Sequence, residues 1–335
     1  MYIFFTEVVV FIISILVILK NNKFITEKFG LLDVPNNRRL HKKPTPLIGG
    51  LIAFILLLEF YLISYFFDGQ FFNLSYLILP SVLFLIGIFD DSNDLNPNLK
   101  LLLIGLSFYF FLIFFPEFNI NKLNFSTFNI LINTGKINIF FTILCLLLFI
   151  NASNMTDGIN GLFLGLSIVY FLYLYFTYNF NNNFILSILL ILFILFYFNC
   201  KNAFFMGDSG VFLISSIYAL SLIEAYHLER SSLKSIEEIF ILLMMPGLDM
   251  FRLFIERIFK KRHPFKPDRN HFHHLLKKKF SDETTLIIYL VLVCIGPVLF
   301  RLNLINTASL IATIILVFFS ATYYLKKLKK PKILS

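Results

Sequence analysis

Apolar runs alternate with short polar stretches along nearly the whole chain. A helix needs about 20 apolar residues to cross the hydrocarbon core of a bilayer. That requirement predicts eleven spans, at approximately 2–19, 47–67, 74–89, 99–115, 137–150, 161–178, 184–199, 211–227, 236–256, 285–300 and 305–324. The fifth run is short, and it crosses only if Asn151 and its neighbours continue the helix into a polar, protein-lined region. The ninth contains Pro246-Gly247, which predicts a kink or break. The polar stretch from Glu117 to Lys136 is rich in Asn and reads as a loop. The expected fold is an all-α integral membrane protein of about eleven transmembrane helices, forming a single polytopic domain over residues 1–335.

Composition agrees. Hydrophobic residues make up 58% of the chain and charged residues only 15%, with a mean hydropathy of +0.80. A water-soluble domain of this size needs more polar surface. The net charge of +9 does not point to nucleic acid, because the basic residues cluster between apolar runs. With the N-terminus outside and the C-terminus inside, 24 of the 29 Lys and Arg residues fall on the inner side. This asymmetry is the positive-inside pattern. The first run has its lysines, Lys20, Lys23 and Lys28, after it rather than before it, unlike a cleaved signal peptide. The basic tail from Lys326 to Lys332 is expected to anchor at the inner membrane surface. Cys145, Cys200 and Cys294 are far apart, so neither a disulfide framework nor a cysteine zinc site is expected.

The same alternation places five polar clusters on one membrane face. The first spans Asp33 to Gly50, a proline- and glycine-punctuated loop in which Arg38, Arg39, His41, Lys42 and Lys43 offer cationic donors suited to phosphate. An ordinary basic inner loop is the alternative. The second is F-D-D-S-N-D, with Asp90, Asp91 and Asp94. Adjacent carboxylates repel unless a cation or proton offsets them. A magnesium ion would do so, and a solvated acidic turn is the alternative. The third is N-A-S-N-M-T-D-G-I-N-G, with Asn151, Asn154, Asp157 and Asn160. A polar run wedged between spans must be buried in protein or line a cavity. The fourth is F-F-M-G-D-S-G, with Phe205 and Asp208. The fifth begins at Asp249 and Arg252. It continues through Lys266, Asp268 and Arg269 to His271, His273 and His274. No familiar zinc pattern completes those histidines, and diphosphate binding fits better beside basic residues. Glu59 and Glu224 fall outside the clusters, and an interhelical hydrogen bond accounts for Glu59 as well as a function would.

Several acids and many cationic donors on one face favour magnesium-dependent phosphoryl chemistry. Five motifs in order, D-x-P-N-x-R-x-x-H, D-D-x-x-D, N-x-x-N-x-x-D-G, F-M-G-D-x-G and H-x-H-H, resemble the polyprenyl-phosphate N-acetylhexosamine-1-phosphate transferases of glycosyltransferase family 4. The resemblance runs from about Asp33 to Leu276. The first and last motifs look like the undecaprenyl-phosphate GlcNAc-1-phosphate branch, which starts O-antigen, enterobacterial common antigen or teichoic acid linkage synthesis. The phospho-MurNAc-pentapeptide translocase branch is the alternative within the family.

The resemblance implies magnesium as cofactor, with manganese as a substitute, and UDP-N-acetylhexosamine and undecaprenyl phosphate as partners in the lipid of a bacterial inner membrane. The site would face the cytoplasm, and a homodimer is left open. It implies a metal site of Asp208, Asp90 and Asp91, with Asp90, Asp91 and Asp157 catalytic. Substrate-binding roles go to Asn154, Asn160, Phe205, His41, Lys43, Arg269, His271, His273 and His274, with Phe205 stacking on uracil. Two departures stand out. Asn160 replaces a usual Asp, and an amide cannot act as the base there. Val211 replaces a small polar residue after G-D-S-G. An aromatic prenyltransferase would carry two D-x-x-x-D-type motifs on paired helices, and a transporter would carry charges through its spans.

Overall fold

The computed structural model describes residues 2–33, 44–69, 72–177, 182–228, 233, 235–262 and 270–327. His41, Lys43 and Arg269 lie outside the described residues, as do Arg38, Arg39, Lys42, Lys266, Asp268 and the tail beyond Lys327.

Each of the eleven expected apolar runs is a helix. They are α1 (Tyr2–Lys20), α3 (Gly49–Asp68), α4 (Ser75–Asn93), α5 (Pro97–Phe114), α6 (Asn138–Asn154), α7 (Leu162–Thr177), α8 (Asn182–Cys200), α9 (Gly207–His227), α10 (Ile236–Phe259), α12 (Asp282–Arg301) and α13 (Thr307–Lys327). Among the described residues, nine are long and apolar enough to cross a membrane. The other two are α7, which is shorter, and α10, which carries Glu237, Glu238, Asp249, Arg252, Glu256 and Arg257. The chain is a multi-pass, all-α membrane protein. Two short helices, α2 (Asn22–Phe29) and α11 (Phe272–Leu276), were not expected from hydropathy.

α6 does extend its helix through Asn151 to Asn154, and the Asn151 amide donates to the Leu147 carbonyl at 2.7 Å. Of the kink or break expected at Pro246-Gly247, a break does not occur, because α10 runs as one helix from Ile236 to Phe259. A proline removes one backbone donor but leaves the turns on either side free to bond. The Asn-rich loop contains an antiparallel hairpin, β3 (Lys122–Phe125) with β4 (Ile130–Asn133), in which Lys122 faces Asn133 and Phe125 faces Ile130. A smaller pair, β1 (Leu32–Asp33) and β2 (Thr45–Pro46), closes the base of the first loop.

Burial explains how the bundle is organised. Of its most apolar window, α9 buries 89%, whereas α1, α5, α6 and α13 bury 22% each. A helix apolar all round belongs in the centre, and helices with one buried stripe belong against lipid. Around α9 pack α3, α4, α6 and α7. α4 comes so close that a Cβ at Gly87 would lie 2.4 Å from Cα of Ser209, so only glycine fits there. Lone carboxylates within the bundle are paired: Glu7 accepts from Ser187, Glu59 from Ser14 of α1, and Glu224 from Tyr76.

Candidate active site

The N-terminus of α9 is the hub of the site. Gly207 opens the helix at φ +68, a left-handed conformation that suits glycine. A Cβ there would also meet the Asp91 carboxylate at 2.5 Å. Asp91, near the end of α4, accepts from the Asp208 backbone N–H at 2.8 Å, the Ser209 N–H at 3.1 Å and the Ser209 hydroxyl at 2.7 Å. Asp157, in the turn between α6 and α7, accepts from the Gly207 N–H. Two carboxylates thus satisfy amide donors that a helix start leaves unpaired, where the helix dipole favours negative charge.

Asp90 and Asp208 face a different partner. Lys100, one turn into α5, donates from Nζ to Asp90 at 3.0 Å and to Asp208 at 2.6 Å. The Asp90 carboxylate also accepts from Leu95 N–H at 3.0 Å, and the Asn154 amide approaches Asp208 at 3.4 Å. Asp90, Asp91, Asp157, Asp208 and Asn154 therefore come together, from motifs up to 118 residues apart. Lys100 was missed in the sequence, where a single lysine at the start of a span reads as a snorkelling cation.

Loop packing joins the remaining motifs. The Phe205 N–H donates to the Pro46 carbonyl at 2.8 Å, and Gly49 N–H to the Phe205 carbonyl at 3.0 Å, so the first motif's end is bound to the fourth. The Phe205 ring is partly exposed. Asn160 donates to Asn202 at 2.6 Å, and the neighbouring Gly161 N–H donates to Asn199 at 2.6 Å. The residue that replaces the usual acid thus ties the third motif to the loop before α9.

The histidines stand at the start of α11. Asp249 of α10 caps that helix from outside. It accepts from Phe272 N–H at 3.1 Å, contacts His271 Nδ1 at 3.1 Å and pairs with Arg252 at 2.7 Å. Arg252 also donates to the Asn270 carbonyl at 2.6 Å. The His271 and His273 rings stack with centroids 5.5 Å apart, and His274 lies 4.2 Å from His273. A Cβ at Gly158 would lie 2.4 Å from His273 Nε2, so α11 abuts the Asp157 turn directly. His271 and His273 are buried, and His274 is the partly exposed member.

Two protonation shifts follow from this packing. Burial, reinforced by Asp208 and then Asp91, pushes the Asp157 carboxyl up to about 7. Burial, with the His274 and His271 charges next, holds His273 well below the usual imidazole range. Asp90 and Asp208 thus share Lys100, with the Asp91 and Asp157 carboxylates close by on the α9 amides. That excess of anionic oxygen suits a hard divalent ion, which takes carboxylate and amide oxygens.

An apolar cavity of about 810 Å³ lies between α6, α9 and α10, and Ala152, two residues before Asn154, is among its lining. Its lining runs from Ala152, Gly247 and Phe251 near the site to Tyr226, Ile236 and the hairpin at the opposite end.

Residues 73–226 match glycosyl transferase family 4. That segment carries the Asp90, Asp157 and Asp208 motifs, and it bears out the resemblance read from them. The chain is 27% identical over 265 residues to the undecaprenyl-phosphate alpha-N-acetylglucosaminyl 1-phosphate transferase of Escherichia coli (strain K12), covering 76% of this chain and 71% of that protein. The Thermotoga maritima enzyme of the same name is 26% identical over 265 residues, covering 78% of each chain. That of Yersinia pestis is 26% identical over 322 residues, covering 90% of this chain and 85% of its own.

Proposed function

We propose that this protein transfers N-acetylglucosamine-1-phosphate from UDP-GlcNAc to undecaprenyl phosphate, releasing UMP and starting a cell-envelope polysaccharide. The observation that carries the reading is the gathering of Asp90, Asp208, Lys100 and Asn154 at the start of α9, with an apolar cavity along the same α6 that ends at Asn154, in a chain whose relatives bear that activity in their names. A soluble nucleotide sugar meets a lipid phosphate most simply where polar chemistry adjoins an apolar cavity. The eleven helices all cross the bacterial inner membrane, with the N-terminus outside, and the site faces the cytoplasm.

In this reading Asp90 and Asp208 hold a magnesium ion, with Asn154 beside them. When bound, it neutralises diphosphate charge. Asp91 and Asp157 hold the start of α9 so that Asp208 projects into the site. Direct coordination by Asp91 would use the lone pairs that its three donors leave free. Lys100 holds Asp90 and Asp208 together and turns to phosphate oxygens when the donor binds. His274 and the basic residues near it bind the diphosphate, and Phe205 stacks on the uracil.

An acceptor phosphate oxygen attacks the sugar-bearing β-phosphorus. A new P–O bond forms, the bond to the bridging oxygen breaks, and its electron pair leaves with UMP. Asp90 orients the acceptor phosphate or takes its remaining proton. The prenyl chain lies in the apolar cavity.

The test uses purified protein, undecaprenyl phosphate, magnesium and labelled UDP-GlcNAc, with UDP-GalNAc and UDP-MurNAc-pentapeptide in parallel. Label is expected in the lipid phase from UDP-GlcNAc, lost in Asp208→Asn and on chelation. Equal or better transfer from UDP-MurNAc-pentapeptide would move the protein to the other branch. Trapping a covalent sugar-phosphate enzyme with donor alone would overturn direct attack.

A further inference from the structure

At the end of the apolar cavity away from the polar site, the β3–β4 hairpin joins Tyr226 of α9 and Ile236 of α10 in the lining. Ile120, Leu123 and Phe125 line it there. α6 separates this end from the polar site by its 17 residues, about 25 Å at the helical rise.

The hairpin is tied to each of the three helices that wall the cavity. The Thr142 hydroxyl of α6 accepts from Ile120 N–H at 2.9 Å. The Tyr226 hydroxyl of α9 accepts from Asn124 N–H at 2.8 Å and donates to the Lys122 carbonyl at 3.2 Å. The Glu237 carboxylate of α10 accepts from Ser126 N–H at 3.2 Å and Thr127 N–H at 2.9 Å. A hairpin on its own is marginally stable. One fastened by backbone bonds to three helix ends is held in a fixed place, and Leu123 and Phe125 of its first strand line the cavity.

We infer that this hairpin is the stop that sets how many isoprene units of the acceptor the protein binds. The inference rests on the prenyl chain occupying the cavity, as proposed above. Units between the polar site and Leu123 bury apolar surface in protein and add affinity. Units beyond the stop leave for lipid and add none. Leu123 and Phe125 are then specificity-determining residues at the end of the molecule opposite the chemistry.

The experiment measures acceptor KM for a series of prenyl phosphates of increasing length, using the full chain in detergent with UDP-GlcNAc and magnesium. For the unaltered protein, KM falls with each added unit and then levels off. Leu123→Trp fills the far end, so the level is reached at a shorter length and long-chain KM rises about tenfold or more. Leu123→Phe, a milder filling, moves the level the same way by less. Ala219→Phe narrows the cavity midway along α9 and moves it further. A thermal-unfolding curve for each variant separates a displaced wall from a lost fold.

If Ala219→Phe shortens the series and neither Leu123 variant does, the hairpin is not the stop. If no variant changes the long-to-short ratio, the chain does not lie in the cavity and the inference falls with it. Should the unaltered protein transfer no label, the transferase reading fails. The hairpin is then judged by thermal shift with the same prenyl phosphates, where a levelling at the same length that moves in Leu123→Trp upholds it and a flat profile overturns it.

Discussion

Lys100 holds Asp90 and Asp208 within bonding distance of one cation, in a site with more carboxylates than cations. Replacing it by Gln leaves two partly buried carboxylates facing each other. Lys100→Gln is expected to destabilise the protein by about 1–3 kcal/mol without divalent ion. Added magnesium should raise Tm more in the variant than in the parent, because the ion then supplies the only positive charge at that point. Equal shifts in the two proteins would place the ion elsewhere. Asp157 supplies a pH prediction. Its carboxyl is pushed up to about 7 from an ordinary 3.8, chiefly by burial. A raised folded-state value means stability that is complete below about pH 4 and lost as pH rises through 7. Asp157→Asn, neutral throughout, should therefore gain on the parent in metal-free thermal unfolding between pH 5 and pH 8. A difference that does not change with pH would contradict the burial argument.

At the scale of elements, α11 depends on a residue from another helix. Asp249 caps its start and neutralises the buried Arg252. Asp249→Ala removes the cap and one of the two carboxylates that pair with Arg252, the other being Glu256 at 3.3 Å, an expected loss of about 1.5–3 kcal/mol. Asp249→Asn, which keeps an acceptor, should lose less. Transfer should fall in both, since α11 abuts the Asp157 turn. An Asp249→Ala protein with parental Tm would show that the cap contributes nothing. Helices of this kind set the limit of what was legible in the chain. The eleven long runs were readable because long, predominantly apolar stretches have few other stable forms. α11 and α2 are too short and polar to stand out, and the β3–β4 hairpin has no glycine at its tip, where Asn129 takes the left-handed turn instead. The acids of the site could be picked out by type. That Asp91 and Asp157 would grip helix amides, that Asn160 would bond Asn202, and that Lys100 would join Asp90 to Asp208 all depend on tertiary packing that no local pattern encodes.

The whole molecule has two ends with different characters. One gathers the carboxylates, histidines and first-loop base, and the other carries the hairpin. The proposed orientation puts the first inside. In a protein whose three native cysteines are replaced, Asn129→Cys on the exposed hairpin tip should react with an impermeant maleimide in intact cells. Ser92→Cys, exposed beside the carboxylates, should react only after permeabilisation. The reverse pattern would invert the topology.

In the proposed reaction phosphorus travels with the sugar. This is tested most directly with UDP-GlcNAc labelled separately in the β-phosphate and the sugar, incubated with undecaprenyl phosphate and magnesium. Both labels should enter the lipid in equal amounts, leaving UMP. Sugar label alone in the lipid, with UDP left behind, would contradict sugar-phosphate transfer.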